Sequence, residues 1–236
     1  MSIRQTATET GYGLGALLFP TLCLNCQRTI PGGQRTPLCL PCFSDLAPTN
    51  YWELPENRVT DKFQGRLELQ LGVALYFFNV GSVCQTLMHA LKYYQRPEIG
   101  DELGRQLGNY LRNHPSLHDL AGVVPVPIHP RRLHQRGYNQ AERIASGVAS
   151  VLRVPVFPQA LTRTDFKGSQ TKMDRLQRVE NVRNSFRPGR GNHAGQHLLL
   201  VDDVVTTGAT LDFCGNLLLE HHANATLSIA TLAIAE

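Results

Sequence analysis

The chain has no apolar run approaching the roughly 18–20 residues that a membrane-spanning helix needs, which excludes a helical integral membrane protein. It has no GxxxxGK[ST] segment, so a Walker-type phosphate loop is excluded. The glycine run Gly11–Gly15 has no strand before it and does not read as a dinucleotide fingerprint. Internal repeats and low-complexity tracts are absent, which argues against a solenoid or a disordered polypeptide. The apolar patch Leu14–Phe19 is short and carries no small-residue cleavage signal. It reads as a short packing helix rather than a signal peptide, and the expected location is cytoplasmic. Aromatic residues are scarce, at 7%, and charged residues make up only 18%; with 42% hydrophobic residues this is ordinary for a soluble globular protein. The 236 residues suffice for one good-sized domain and an appendage.

What is present is unevenly placed. Between Arg131 and Arg190 there are 13 Lys/Arg and 4 Asp/Glu, a balance of +9, so the rest of the chain sums to −5 to give the net +4. A local basic excess suits an anionic ligand such as pyrophosphate, or nucleic acid. Four of the six cysteines are grouped: Cys23 and Cys26 form one C-x2-C, and Cys39 and Cys42 form another twelve residues later. Two such knuckles can supply four thiolates to a closed tetrahedral site, which argues for structural zinc rather than catalysis. The intervening segment holds Pro31, Gly32, Gly33 and Pro37 and is too small for its own core, so metal would supply its folding energy. Two disulfides and an iron–sulfur cluster are the competing readings. Cys84 and Cys214 read as plain core residues.

Along the chain, residues 1–48 read as a helix plus ribbon, and 47–61, with Pro48 and Pro55, as a linker. Leu67–Asn79 suggests one or two strands. The segment from Ser82 to His114 reads as two helices divided by Pro97. Val123–Ile128 reads as a strand interrupted by Pro125 and Pro127, Ala141–Leu152 as a helix, Leu198–Val201 as a buried strand, Ala209–Leu219 as its helix and Ala225–Ala235 as a last strand. Strands alternating with helices predict an α/β domain with a mostly parallel sheet.

The most informative segment is HLLLVDDVVTTGAT, His197–Thr210. Two carboxylates, Asp202 and Asp203, follow the apolar strand, and Thr206, Thr207, Gly208 and Thr210 open the helix. A helix N-terminus with free N–H groups favours an anion. The threonine hydroxyls donate further hydrogen bonds to phosphate oxygens, and Gly208 lets the backbone come close. The carboxylates can accept from ribose hydroxyls or share Mg²⁺ with a substrate. This segment resembles the phosphoribosyl-pyrophosphate (PRPP) motif of type I phosphoribosyltransferases. The resemblance implies PRPP binding along Asp202, Asp203, Val204, Val205, Thr206, Thr207, Gly208, Ala209 and Thr210, with the two acids as the catalytic pair.

Two further segments carry basic and amide groups. In VVPVPIHPRRLHQRGYNQAERIA, Val123–Ala145, a basic turn after the strand places Arg131, Arg132 and Arg136 where guanidinium groups could meet a diphosphate. His129 and His134 in that turn read as polar loop residues, not metal ligands. The polar stretch Arg163–Phe186 contains Ser169, Gln170, Thr171 and Lys172 and reads as a flexible loop that closes over substrate and excludes water. Its second half has a helical spacing in Leu176, Val179 and Val182.

In order and spacing, CLNC…CLPC, HALKYYQRPEIGDELG, PVPIHPRRLHQRGYNQAE, SQT…QRVENVRNSF and VDDVVTTGAT resemble the ComF/GntX family. The resemblance implies a zinc ribbon at Cys23, Cys26, Cys39 and Cys42 (residues 1–48), followed by a type I phosphoribosyltransferase domain (62–236). It implies Mg²⁺ with PRPP and a diphosphate-facing role for the basic loop. Lys92, with Arg96, matches a basic helix end in that family and is expected to face the site. Family members are linked to DNA uptake in natural transformation, so single-stranded DNA, a DNA-uptake helicase and other competence proteins are expected partners. Tyr93, Tyr94 and Tyr138 near basic residues could stack on bases. The expected function is Mg-dependent phosphoribosyl transfer to an acceptor that carries no signature in the sequence. The alternative is a non-catalytic PRPP sensor that binds single-stranded DNA.

Overall fold

The computed structural model describes residues 21–30, 37–164 and 185–235. The helix expected at Leu14–Phe19, the loop residues Ser169, Gln170, Thr171 and Lys172, and the helical spacing at 176–182 lie outside them. In chain order the described elements begin with α1 (Leu40–Ser44), α2 (Arg58–Phe63) and β1 (Leu71–Phe78). Helices α3 (Val83–Tyr93) and α4 (Pro97–Leu111) lead to β2 (Leu120–Pro125), and α5 (Pro130–Arg136) and α6 (Gln140–Leu152) to β3 (Leu161–Arg163). The chain closes with β4 (Phe186–Pro188), β5 (His197–Val205), α7 (Ala209–His221) and β6 (Thr226–Ala235). No helix among the described residues is long and apolar enough to cross a membrane.

The central sheet is four-stranded and parallel throughout, in the order β1-β6-β5-β2. Both inner strands are apolar along most of their length, as strands covered on both faces must be. Leu198, Leu199, Leu200, Val201, Ile229, Ala230, Leu232 and Ala233 are all fully buried. β3 and β4 form a separate antiparallel ribbon. The α/β architecture expected from the alternation of elements is therefore present.

The ends of two strands differ from the sequence reading, and the difference makes the site. β2 ends at Pro125, which lies opposite Val201; Val126 N–H still bonds Val201 O (2.9 Å), but Pro127 has no N–H with which to carry the ladder further. β5 does not stop at Val201. It runs through both acids to Val205, paired on its other side with β6 at Asp202↔Thr231, Val204↔Ala233 and Val205↔Ile234. β5 thus outruns β2 and leaves an open crevice along its end.

Residues 47–61 are not a linker. Ala47 and Thr49 pair with the edge of β1 through Phe77 N–H to Ala47 O (3.0 Å) and Thr49 N–H to Leu75 O (3.1 Å). Buried Asn57 caps α2 and donates to Leu54 O and Gly72 O, both at 2.9 Å. Trp52 stacks on Tyr110 of α4 with centroids 4.0 Å apart. The prolines and acids that suggested a linker sit on the outside of a packed segment.

At the other end of the sheet, buried His197 joins three elements. Its Nδ1–H donates to Asp119 Oδ1 (2.9 Å) and its Nε2 shares a hydrogen bond with Ser228 Oγ (2.9 Å). The order resembles a catalytic triad, but Ser228 is fully buried, so the network is structural.

α6 carries its N-terminus to the crevice, and its position is set by a close approach to α4. A Cβ on Gly104 would lie 2.3 Å from Ile144 O, and one on Gly147 would lie 2.3 Å from Asp101 O. Only hydrogen fits at these crossings, and the Arg143–Asp101 ion pair ties the same two helices. Gly147→Ala is expected to destabilise the fold by about 1–3 kcal/mol despite alanine's better helix propensity, as a lowered urea midpoint at unchanged slope.

Candidate functional site

The ribbon comes first in the chain. The first knuckle is a tight hairpin, with Cys23 N–H bonded to Arg28 O (2.8 Å), Gln27 N–H to Cys23 O (3.0 Å) and Gln27 at φ 61°. The second places Cys39 at the N-cap of α1, where Phe43 N–H bonds Cys39 O (2.9 Å). The four sulfurs all lie within 4.8 Å of one another, and none is in a disulfide. A tetrahedral zinc with Zn–S near 2.3 Å needs sulfurs about 3.8 Å apart, and Cys26 and Cys39 stand at 3.5 Å. The thiols influence one another: burial pushes Cys23 up but backbone hydrogen bonds from Cys26, Cys39 and Asn25 bring it down to about 6, whereas Cys42, despite the Asn25 hydrogen bond that lowers it, is pushed up to about 12 by burial and the neighbouring cysteines. It is the convergence of four sulfurs at this spacing that fits the metal: Cys23, Cys26, Cys39 and Cys42 would hold zinc and leave no open position. Asn25 links this centre to the domain, donating to Cys42 Sγ (3.5 Å) and accepting from Thr86 Oγ1 of α3 (3.2 Å). Cys84 and Cys214 are buried core residues, as expected.

The second centre lies where β5 outruns β2. Successive strand residues point to opposite sides, so the adjacent acids diverge. Asp203 Oδ2 meets Lys92 Nζ of α3 at 3.1 Å. Asp202 Oδ1 accepts from Asp203 N–H at 2.9 Å. Burial, and then the neighbouring Asp203 carboxylate, push Asp202 up to about 7, with Asp203 N–H, Lys92 and Arg163 opposing. A carboxyl poised near neutrality in a cleft is a functional signature.

Beyond the acids, Val204–Leu211 and Asp202 line a cavity of about 70 Å³, room for about two waters or one phosphoryl group. Gly208 caps α7 at φ 78°, a left-handed backbone that glycine adopts without strain. A Cβ there would meet the Phe63 ring at 3.1 Å. Thr206 and Thr207 are exposed and Thr210 half-buried. Arg66 braces the loop from outside through Nη2–H to Thr207 O (3.4 Å); nothing in the sequence pattern pointed to it.

On the other side, the acids open into a cleft of about 470 Å³. It is lined by Lys92, Arg132, Arg136 and Thr210 among the expected residues. The basic segment is not a turn but the short helix α5, begun by Pro130, capped by His129 Nδ1 accepting from Arg131 N–H (3.3 Å) and ended by Gly137. Proline at the first turn and glycine past the last are helix signals that outweigh the loop-like composition. Helical spacing turns Arg132 and Arg136 into the cleft together and leaves Arg131 exposed outside its lining. Lys92 faces Asp203 rather than open space, and Arg96 pairs with Glu98. Tyr138 is not a stacking platform, since its hydroxyl donates to Leu91 O. Tyr93 and Tyr94 are each 60% exposed, with the Arg136 guanidinium 5.3 Å from the Tyr93 ring. The cleft also contains Arg163, Asn139 and Gln140, none of which had been given a site role. Asn139 caps α6 and donates to Val126 O (3.0 Å), which pins the exit of β2 to the head of that helix.

Comparison with known proteins bears on this geometry. Residues 139–235 match the phosphoribosyl transferase domain. DNA utilization protein YhgH of Salmonella typhi is 31% identical over 208 residues, covering 86% of this chain and 86% of that protein. The YhgH protein of Escherichia coli K12 is 34% identical over 145 residues, covering 59% of this chain and 62% of that protein, so the match spans less than two thirds of its length. Competence protein ComFC of Bacillus subtilis is 26% identical over 214 residues, covering 89% of this chain and 83% of that protein.

Asp202 holds its proton when folded to about pH 7, whereas an unfolded aspartate gives it up near pH 4. Stability is then fully present below about pH 4 and declines as pH rises toward 7. Asp202→Asn is therefore expected to raise the melting temperature of the empty protein at pH 8 but not at pH 4, by scanning calorimetry. Purified protein is expected to contain one zinc per chain by elemental analysis, and Cys42→Ser to lose it and melt lower.

Proposed function

Because this chain belongs to the ComF family, we propose that it binds PRPP with Mg²⁺ at the end of β5 and transfers the phosphoribosyl group to an acceptor. The observation that carries this reading is one acid pair with a phosphoryl-sized cradle on one side and an arginine-lined cleft on the other. The 5′-phosphate sits at the N-terminus of α7, held by backbone N–H groups and the hydroxyls of Thr206, Thr207 and Thr210. Asp202 and Asp203 accept from the ribose hydroxyls. The diphosphate leaves C1 toward Arg132 and Arg136, which stabilise the charge that develops on it, while the carboxylates stabilise the opposite charge on the ribosyl ring. Asp202 and Asp203 would hold Mg²⁺ together with the substrate's own oxygens, and the ion would supply positive charge against the diphosphate. Ser169, Gln170, Thr171 and Lys172 are proposed to shield this reaction from water. Since relatives are named for competence and DNA utilization, we place the activity in DNA uptake, in the cytoplasm, with a DNA-uptake helicase or other competence proteins as partners.

A second reading is favoured by the exposed Tyr93 and Tyr94 beside Arg136. Exposed rings flanked by cations stack on bases and bind phosphate in single-stranded DNA. Such binding would weaken steeply with salt, and fluorescence anisotropy across a salt series tests it; affinity unaffected by Tyr93→Ala and Tyr94→Ala together removes this reading.

Calorimetry tests the first reading directly. PRPP with Mg²⁺ is expected to bind the wild type, and Asp203→Asn to lose that binding. Affinity is expected to rise with pH and level off above about 7, as the protonated Asp202 is released to accept hydrogen bonds. Asp202→Asn flattens that profile. A wild type that binds no PRPP at any pH rejects the proposal.

A further inference from the structure

Arg163 is the last residue of β3, paired across the ribbon with Phe186 of β4. Its guanidinium carbon lies 4.6 Å from the Phe186 ring centroid, and its Nε–H donates to Ser185 Oγ at 3.2 Å. These two contacts hold the fork in one orientation at the wall of the cleft that also holds Asp202 and Asp203. Its terminal nitrogens have no hydrogen bond and no carboxylate partner among the described residues. A half-buried guanidinium without an anion is costly, and here Arg132 adds repulsion while Asp202 offsets it only in part.

A second group in the same cleft lacks an acceptor. Gln140 is only 3% exposed, and its Nε2 has no hydrogen-bond partner. The orientation of this amide is not free: Arg136 Nη1–H donates to Oε1 at 2.9 Å, and a guanidinium can only donate. The NH₂ group is therefore turned away from Arg136 as an unsatisfied donor. Of the other cations lining the cleft, Lys92 is paired with Asp203, Arg136 contacts Gln140 and the Tyr93 ring, and Arg132 is exposed on α5, so Arg163 is the cation that its own contacts fix in the wall. What the cleft lacks is an acceptor-rich anion that reaches Arg163.

We infer that Arg163 is a principal protein ligand of the diphosphate half of PRPP, held ready for it by Phe186 and Ser185. This rests on the PRPP reading above and adds a residue to it. The 5′-phosphate is excluded as the partner, because its cradle at Val204–Leu211 has its own lining, to which Arg163 does not belong. Arginine suits the role because its fork meets two oxygens of one phosphoryl group at once.

Calorimetry of the full chain with three separate probes, inorganic pyrophosphate with Mg²⁺, ribose 5-phosphate and PRPP with Mg²⁺, tests the inference. Arg163→Gln is expected to weaken pyrophosphate and PRPP by at least about tenfold, the loss of a charge-assisted pair, and to leave ribose 5-phosphate unchanged. Arg163→Lys keeps the charge but not the fork and is expected to fall between; it carries the test if the glutamine variant does not fold. Pyrophosphate affinity unchanged in either variant, or pyrophosphate and ribose 5-phosphate weakened alike, overturns the role of Arg163. A wild type that binds ribose 5-phosphate but no pyrophosphate overturns it too, whereas a wild type that binds none of the three probes removes the PRPP reading beneath it.

Discussion

The site depends on one mismatch of length: β5 continues past the end of β2. In a parallel sheet a strand that loses its neighbour exposes its outer edge, and polar groups there need partners from elsewhere. Here the exposed edge carries two adjacent acids, which alternate to opposite sides. Asp203 is neutralised by Lys92 from α3, while Asp202, pushed up to about 7, answers its surroundings by keeping a proton. Side chains from α3, α5, α6 and β3 converge on the crevice this leaves. It is also the place where open α/β sheets bind ligands, outside the carboxyl ends of their strands.

The charge pattern around that edge is unbalanced in a way that folding alone does not relieve. Arg163 lacks a counter-ion among the described residues, Gln140 keeps an unsatisfied donor, and Asp202 holds a proton it would release beside a cation. Each is a small cost to the empty fold, and the proposed ligand, an anionic sugar phosphate with Mg²⁺, would relieve it. Functional sites are where such local inconsistencies are tolerated. The four-cysteine centre is the opposite case: its four sulfurs already converge to within 4.8 Å of one another. It joins the domain through Asn25, which bridges Cys42 and Thr86, so the ribbon and the site share α3.

Local signals made parts of this molecule legible. Pro97 marked the start of α4, and the apolar run before Asp202 marked the core strand, because proline geometry and burial act within a few residues. The cysteine spacing announced four convergent thiols for the same reason. The segment 47–61 was misread because its prolines and acids are surface features, while what holds it is remote: Asn57 reaches Gly72, and Trp52 reaches Tyr110. The basic segment after Ile128 was misread as a turn although Pro130 and Gly137 framed a helix, since its charges outweighed its caps in a composition-based reading.

The sequence by itself determined the chemistry of the site: an acid pair, a threonine–glycine turn, a basic segment and two paired-cysteine knuckles, all encoded at short spacing. It also determined the alternation that yields a parallel α/β sheet. Only the tertiary structure decided which cations meet the acids. Arg132 and Arg136 enter the cleft and Arg131 does not, because helical periodicity selects the face. Lys92 meets Asp203 across 111 residues of chain, and Arg163 arrives beside Asp202 through a ribbon pairing with Phe186. Those meetings follow from strand order and helix packing, which depend on contacts between distant residues, and no local pattern records them.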